Sequence, residues 1–158
     1  MAAKYTIGLD YGTNSVRALV VNIANGHEAG TAVWNYEHGT AGVILSRDPN
    51  LARQHPLDYL KGAEITIKKA LIDARNNVRG FDPQQVVGIG VDTTGSTPLP
   101  VDRYGQPLAF QKKFSKNPAA LAWLWKDHTG VVEAAQITEL AQKLRPHLLA
   151  KCGGVYSS

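Results

Sequence analysis

The sequence predicts one α/β domain of ordinary size. Three observations point there: β-prone runs parted by turn signals over residues 1–38, a long stretch of helical period after them, and a short unbroken apolar run near the middle. The first runs are residues 5–10, 16–23 and 31–36. Gly12 and Asn14 in the first gap tolerate positive φ, and Asn25-Gly26 in the second is a strong hairpin signal, so an antiparallel meander is expected. Residues 39–55 carry Gly39, Gly42 and Pro49 without sustained periodicity and read as loop. Leu60, Ala63, Ile67, Ala70, Leu71, Ala74 and Val78 then recur at steps of three and four, which predicts an amphipathic helix over 57–78, stopped by Gly80 and Pro83.

Residues 86–91, Val-Val-Gly-Ile-Gly-Val, form the unbroken apolar run, expected as a strand buried on both faces in the middle of the sheet. Residues 92–96 make its polar exit, residues 97–101 are expected to return as a further strand, and residues 102–105 to turn. Asn117 and Pro118 read as the cap and first residue of a helix over 119–126. Another helix is expected over 131–144, ended by Pro146. Neither a repeat nor a linker interrupts the chain, and the Gly-rich tail from Lys151 to Ser158 resembles an unfinished loop, which suggests a fragment of a longer protein.

Composition narrows the function classes. The 158 residues are 44% apolar and 19% charged, values that suit a folded globular chain and not a disordered one. The longest apolar run, residues 119–125, is far short of the roughly 20 residues that a membrane helix needs. The net charge of +4 is spread out, and its one tight cluster, Lys112, Lys113 and Lys116, reads as a solvated loop, which gives little basis for a nucleic-acid partner. A single cysteine, Cys152, and the lack of a leader pattern at Met-Ala-Ala-Lys-Tyr point to the cytoplasm. His27, His38, His55 and His147 share neither a ligand spacing nor a helical face and are expected in loops or on the surface.

Three segments could carry chemistry. In Gly8-Leu9-Asp10-Tyr11-Gly12-Thr13-Asn14-Ser15-Val16-Arg17, a carboxylate ends one strand, a glycine opens the turn, and an arginine follows on the next strand. A glycine there lets backbone N–H groups approach an anion without an intervening Cβ, so the hairpin suits phosphate, although no Walker loop occurs anywhere. In Gly90-Val91-Asp92-Thr93-Thr94-Gly95-Ser96-Thr97, a strand runs out into small hydroxyls where a ligand can dock. In Leu124-Trp125-Lys126-Asp127-His128-Thr129, an aromatic face beside charged groups suits a sugar. Trp123 is expected in the core and Trp125 at the ligand.

These segments resemble the FGGY carbohydrate kinases. Residues 7–17 are similar to the first phosphate motif of that family, and residues 90–98 and 124–129 are similar to its L-ribulose-phosphorylating branch. Most members differ at Gly95-Ser96, where they carry an Arg-Glu-like pair. The resemblance covers essentially the whole chain and implies the ribonuclease-H-like, actin-like ATPase fold, a mixed sheet flanked by helices, with residues 1–158 as the N-terminal part of the first of two domains. It implies transfer of the γ-phosphoryl group of ATP to L-ribulose in arabinose catabolism, with Mg²⁺ at Asp10 and phosphates at Asp10, Gly12, Thr13, Asn14, Ser15 and Arg17. Asp92, Ser96, Thr97, Trp125, Lys126 and Asp127 would hold the sugar. The general base would be an aspartate beyond Ser158, leaving the fragment inactive, and an incomplete core would favour homo-oligomers. Another FGGY sugar kinase, or an actin-like ATPase that does not act on sugars, remains an alternative at this point.

Overall fold

The computed structural model describes residues 3–158; Met1 and Ala2, the start of the stretch read as leaderless, lie outside the described residues. The expected meander forms from β1 (Tyr5–Tyr11), β2 (Ser15–Asn22) and β3 (Glu28–Asn35). Gly26, at φ +74°, closes the second hairpin by donating to the Asn22 carbonyl at 2.9 Å. Then come β4 (Arg53–Gln54), the helix α1 (Pro56–Asn77), β5 (Val86–Thr93), β6 (Ala122–Trp123), and the helices α2 (Val131–Leu144) and α3 (Pro146–Leu149). The main sheet has the order β3-β2-β1-β5; only the β1–β5 pair is parallel, so the sheet is mixed. The short strands β4 and β6 pair separately.

Alternation along the strands places Ile7, Leu9, Val16, Ala18 and Val20 on one face, where α1 covers them. The buried stripe of α1 runs through Gly62, Thr66, Ala70 and Ala74, spaced by four, whereas Leu60 of the expected apolar stripe is exposed. Small residues win because the helix lies almost on the backbone of β3. A Cβ on Gly30 would stand 2.4 Å from the Ala70 carbonyl oxygen and the Ala74 amide nitrogen.

Three expectations fail, each for a physical reason. β5 is not the buried centre of the sheet: it is an edge strand, and Val87, Ile89 and Val91 are 56–61% exposed. α1 rests over β2 and β3, and among the described residues nothing covers the α1-side face of β5. Residues 97–101 form no strand, because Pro98 and Pro100 cannot donate to a ladder, and only Val101 makes an isolated bridge, to Pro107. Residues 119–126 are not a helix. Asn117 does cap Ala119 at 3.0 Å, but one 3-10 turn (Pro118–Ala120) is all that follows. The amides of Trp123 and Leu124 donate instead to the carbonyls of Pro98 and Ala52, at 2.9 and 3.1 Å, which pulls the segment into an extended path. Pro146, expected only as a stop, also starts α3.

Candidate functional site

The β1–β2 turn is fixed from behind. Gly12 N–H donates to the Ser15 carbonyl at 2.9 Å, and the Tyr36 hydroxyl donates to the Gly12 carbonyl at 3.0 Å. Gln54 Nε2 donates to the Thr13 carbonyl at 2.7 Å, Tyr36 N–H to the Asn14 carbonyl at 3.0 Å, and Thr94 N–H to the Tyr11 carbonyl at 3.1 Å. With these carbonyls occupied, the turn offers N–H groups: among the described residues, the amides of Thr13 and Asn14 donate to no protein acceptor. Asn14 Nδ2 is held by the Ala41 carbonyl. Ser15 is buried, so it serves the turn through its backbone and offers no free hydroxyl outward.

Asp10 and Arg17 are cross-strand partners, and Asp10 is also in register with Asp92 on β5. All three point to the face of the sheet that α1 leaves open, where they line a shallow cavity of about 600 Å³ together with Gly8, Leu19 and Gly90. Arg17 Nη1 lies 3.2 Å from Asp10 Oδ2, and both side chains are about half exposed. Gly12 makes room for the guanidinium, since a Cβ there would meet Arg17 Nη2 at 3.3 Å. Asp92 is thus grouped with the hairpin carboxylate and not with Ser96, and its Oδ1 accepts Thr93 N–H at 2.9 Å.

The other expected sugar residues converge elsewhere. Gly95, Ser96, Trp125 and Asp127 line a second cavity of about 570 Å³. Ser96 sits at φ +54°, a left-handed conformation that costs a residue with a Cβ roughly 1 kcal/mol, and so the turn aims it into the cavity at some expense. Thr97 lines a smaller neighbouring hollow with Tyr11, Tyr36 and Tyr59. Lys126 is exposed and lines neither cavity. Trp125 is 54% exposed, and its Nε1 donates to Thr13 Oγ1 at 3.2 Å, joining the wall of the second cavity to the β1–β2 turn. Trp123, expected in the core, is only half-buried: it lines the same cavity and lies under the Arg53 guanidinium, 3.7 Å from ring centre to Cζ.

Asp127 is placed differently from its expected role in contact with sugar. Its side chain is buried, Oδ2 accepts Ala52 N–H at 2.7 Å and the Arg53 guanidinium, and Oδ1 accepts the Thr129 hydroxyl and its N–H, the latter at 3.2 Å. With both oxygens committed, Asp127 holds the Trp125 loop in place. Burial pulls the Arg53 guanidinium below its ordinary pKa, with Asp48 acting in the opposite sense.

No family model matches the chain. It is 38% identical to the ribulokinase of Shouchella clausii over 98% of its own length and 28% of that protein, and 42% identical to the ribulokinase of Vibrio parahaemolyticus over 98% and 27%. The chain is a homologue of the ribulokinases. It spans little more than a quarter of the length of these ribulokinase relatives. The crystal structure of a xyloylose kinase from Brucella ovis matches with a TM-score of 0.63 at 20% identity, covering 87% of this chain and 24% of that one. Among other similar solved structures are a gluconate kinase from Lactobacillus acidophilus, at a TM-score of 0.57, and a glycerol kinase from Plasmodium falciparum, at 0.62, and the fold shared with these structures is that of the actin-like ATPases.

Sequence reasoning missed the residues that brace this candidate site. Arg53 and Gln54 fall in a stretch without periodicity, and a polar pair in a loop ordinarily reads as solvent-facing, yet they are 3% and 1% exposed. Asp58, 1% exposed, accepts His38 N–H at 3.1 Å and contacts His38 Nδ1 at 2.7 Å. His55 caps α1, its Nδ1 accepting Leu57 N–H at 3.2 Å, and its ring stacks on His38 with centroids 4.1 Å apart. Both histidines lie outside the helices and strands, as expected of loop positions, but these contacts hold each of them in place. The one signal in the sequence was the position of His55 immediately before Pro56, a residue that favours the first turn of a helix.

Proposed function

We propose that the chain is the N-terminal part, residues 1–158, of the first domain of a ribulokinase that phosphorylates the terminal hydroxyl of L-ribulose with ATP, giving L-ribulose 5-phosphate. The observation that carries this reading is the contact of Trp125 with Thr13. It sets the wall of a cavity lined by an aromatic ring and a hydroxyl against a turn whose free N–H groups and arginine suit phosphate, and transfer to a sugar hydroxyl requires that juxtaposition. The similarity to ribulokinases along the whole chain supports the choice of substrate.

In this reading, the Thr13 and Asn14 amides, the Gly12 turn and Arg17 hold the phosphate oxygens. Ser96 and Trp125 face the ketose, with Thr97 and Lys126 at the margin, while Asp127 orders the loop. The sugar hydroxyl oxygen bonds to the γ-phosphorus as the bond to the β,γ-bridging oxygen breaks, ADP departs, and the hydroxyl proton passes to a general base outside the 158 residues. Among the described residues no cluster of three or more His, Cys, Asp or Glu side chains could hold a metal alone. Mg²⁺ commonly takes only one or two carboxylates and completes its shell with water and substrate phosphates, and the aligned Asp10 and Asp92 offer that donor set. When bound, the metal ion would neutralise phosphate charge. No helix among the described residues is long and apolar enough to cross a membrane, and a cytoplasmic setting is part of the proposal.

The test is an assay of the full-length kinase carrying this segment, with MgATP and L-ribulose, D-ribulose, xylulose or glycerol. L-ribulose is expected to give the highest kcat/KM. Preference for another sugar would replace ribulokinase with another sugar kinase, and ATP hydrolysis without sugar phosphorylation would replace it with an actin-like ATPase.

A further inference from the structure

We infer that Gln54 is a positioning residue for the β1–β2 turn, and that β4 ties this turn to the Trp125 loop. The inference rests on the reading above in assigning the turn to phosphate. Adjacent residues of an extended strand project to opposite sides, and β4 uses both. Arg53 reaches the buried Asp127 carboxylate and donates through Nε to the Pro118 carbonyl at 3.3 Å. Gln54 reaches the other way, donating to the Thr13 carbonyl at 2.7 Å while its Oε1 accepts the Tyr59 hydroxyl at 2.6 Å. The Trp125 indole closes the ring by donating to Thr13 Oγ1.

A buried primary amide that gives one hydrogen bond and receives one is fixed in orientation, because exchanging its oxygen and nitrogen would oppose oxygen to oxygen at Thr13. Tyr59 secures that orientation. Burial, reinforced by Asp58, holds its phenol far above the ordinary tyrosine range, so it stays a donor throughout the working pH range. The Thr13 carbonyl is thereby kept inward, which turns the Asn14 N–H of the same peptide outward.

The discriminating variant is Gln54→Glu. It preserves shape, but an ionised carboxylate has no proton to give Thr13, whereas the protonated acid can donate there and still accept from Tyr59. Burial in an apolar setting raises a carboxyl pKa, so a switch between the two states falls in an accessible range. The neighbouring titratable and charged groups are Arg53, His55, Asp58 and Tyr59 around β4 and α1, Tyr36 after β3 and Tyr11 on β1; the unsubstituted protein, titrated in parallel, removes their contribution.

The readout is the indole N–H resonance of Trp125 in the 158-residue chain, identified among the three tryptophans by Trp125→Phe. In Gln54→Glu it is expected to be displaced by more than a linewidth at pH 7.5 and to return to the unsubstituted position near pH 5. An undisplaced signal at both pH values, or the same displacement at both, overturns the inference. If Gln54→Glu does not fold, Tyr59→Phe decides: a smaller displacement supports the inference and none overturns it. In the full-length kinase, Gln54→Glu is expected to lower kcat/KM for MgATP about tenfold above the carboxyl pKa while sugar KM changes less than twofold. A full-length kinase that transfers no phosphate to sugar would reject the proposed function and leave the resonance result standing.

Discussion

Arg17 and Asp10 face each other across β1 and β2 at directly paired positions, with Nη1 and Oδ2 3.2 Å apart on the open face of the sheet. Both groups are about half exposed, so the pair adds little to stability. Asp10→Ala in the proposed full-length kinase is expected to lower kcat by about 10²-fold or more with little change in sugar affinity, since the proposed function gives this carboxylate the metal and phosphate. Arg17→Ala is expected to act in the same direction and less severely. Steady-state kinetics at saturating MgATP check both, and a normal kcat in Asp10→Ala would show that the hairpin does not handle phosphate.

Ser96 tests the sugar cavity. Ser96→Glu introduces a bulkier charged group at a left-handed position beside Trp125. A drop of at least about tenfold in kcat/KM for L-ribulose is expected, because a polar group misplaced in a substrate site is strongly discriminating. ATP kinetics should hardly move. An unchanged profile across L-ribulose, D-ribulose, xylulose and glycerol would place Ser96 away from the substrate.

Arg53→Met should be costly. It leaves the Asp127 carboxylate buried without its ionic partner, a change typically worth about 3–5 kcal/mol. Urea denaturation measures it. The paired change Arg53→Met with Asp127→Leu should recover most of the loss, and if the single variant costs less than about 1 kcal/mol, water already reaches the pair.

His55 gives the fold a dependence on pH. Burial lowers its pKa below the ordinary histidine value, His38 stacked on it acts in the same direction, and Asp58 opposes them. The unfolded chain therefore binds a proton more readily than the folded one. Stability from this group is complete above the unfolded value of about 6.5 and is lost as pH falls from there through the lower folded value. The urea midpoint should drop across that window. His55→Asn, which retains a capping side chain but does not titrate, should make the drop shallower and leave stability near pH 7.5 almost unchanged; a slope equal to that of the unsubstituted protein would remove His55 as its source.

The 158-residue chain alone should not turn over L-ribulose with MgATP, since the proposal places the general base outside it. A coupled ADP-release assay checks this, and measurable turnover would put the base among residues already described.

The meander and α1 were legible because their signals are local. Asn25-Gly26 sets its own turn, and a three-and-four spacing needs no partner to be read. What escaped the sequence was decided between distant segments. Trp123 and Leu124 favour a helix until the carbonyls of Pro98 and Ala52 take their amides, and the apolar character of residues 86–91 is compatible with a central strand or an uncovered edge. The hairpin motif announced itself because its chemistry lies in ten consecutive residues. Its bracing did not: Gln54 and Tyr59 have no marked spacing from Thr13, and only the folded chain brings them within hydrogen-bond reach.

The placement of β5 has a temporal consequence. The hairpins and α1 involve neighbouring stretches of chain, whereas β5 must join β1 across a large loop, as the bond from Thr6 Oγ1 to the Gly88 carbonyl, 82 positions apart, illustrates. Closing such a loop costs entropy before any contact repays it, so the meander with its helix is set to order first and β5 to dock afterwards. A chain at that halfway stage already holds Arg17 against Asp10 but has not acquired Asp92. Arg17 and Asp10 cancel at that stage, and the docking of the last strand, by adding Asp92, tips the open face to negative, a charge that a cation can answer only once the whole sheet is assembled.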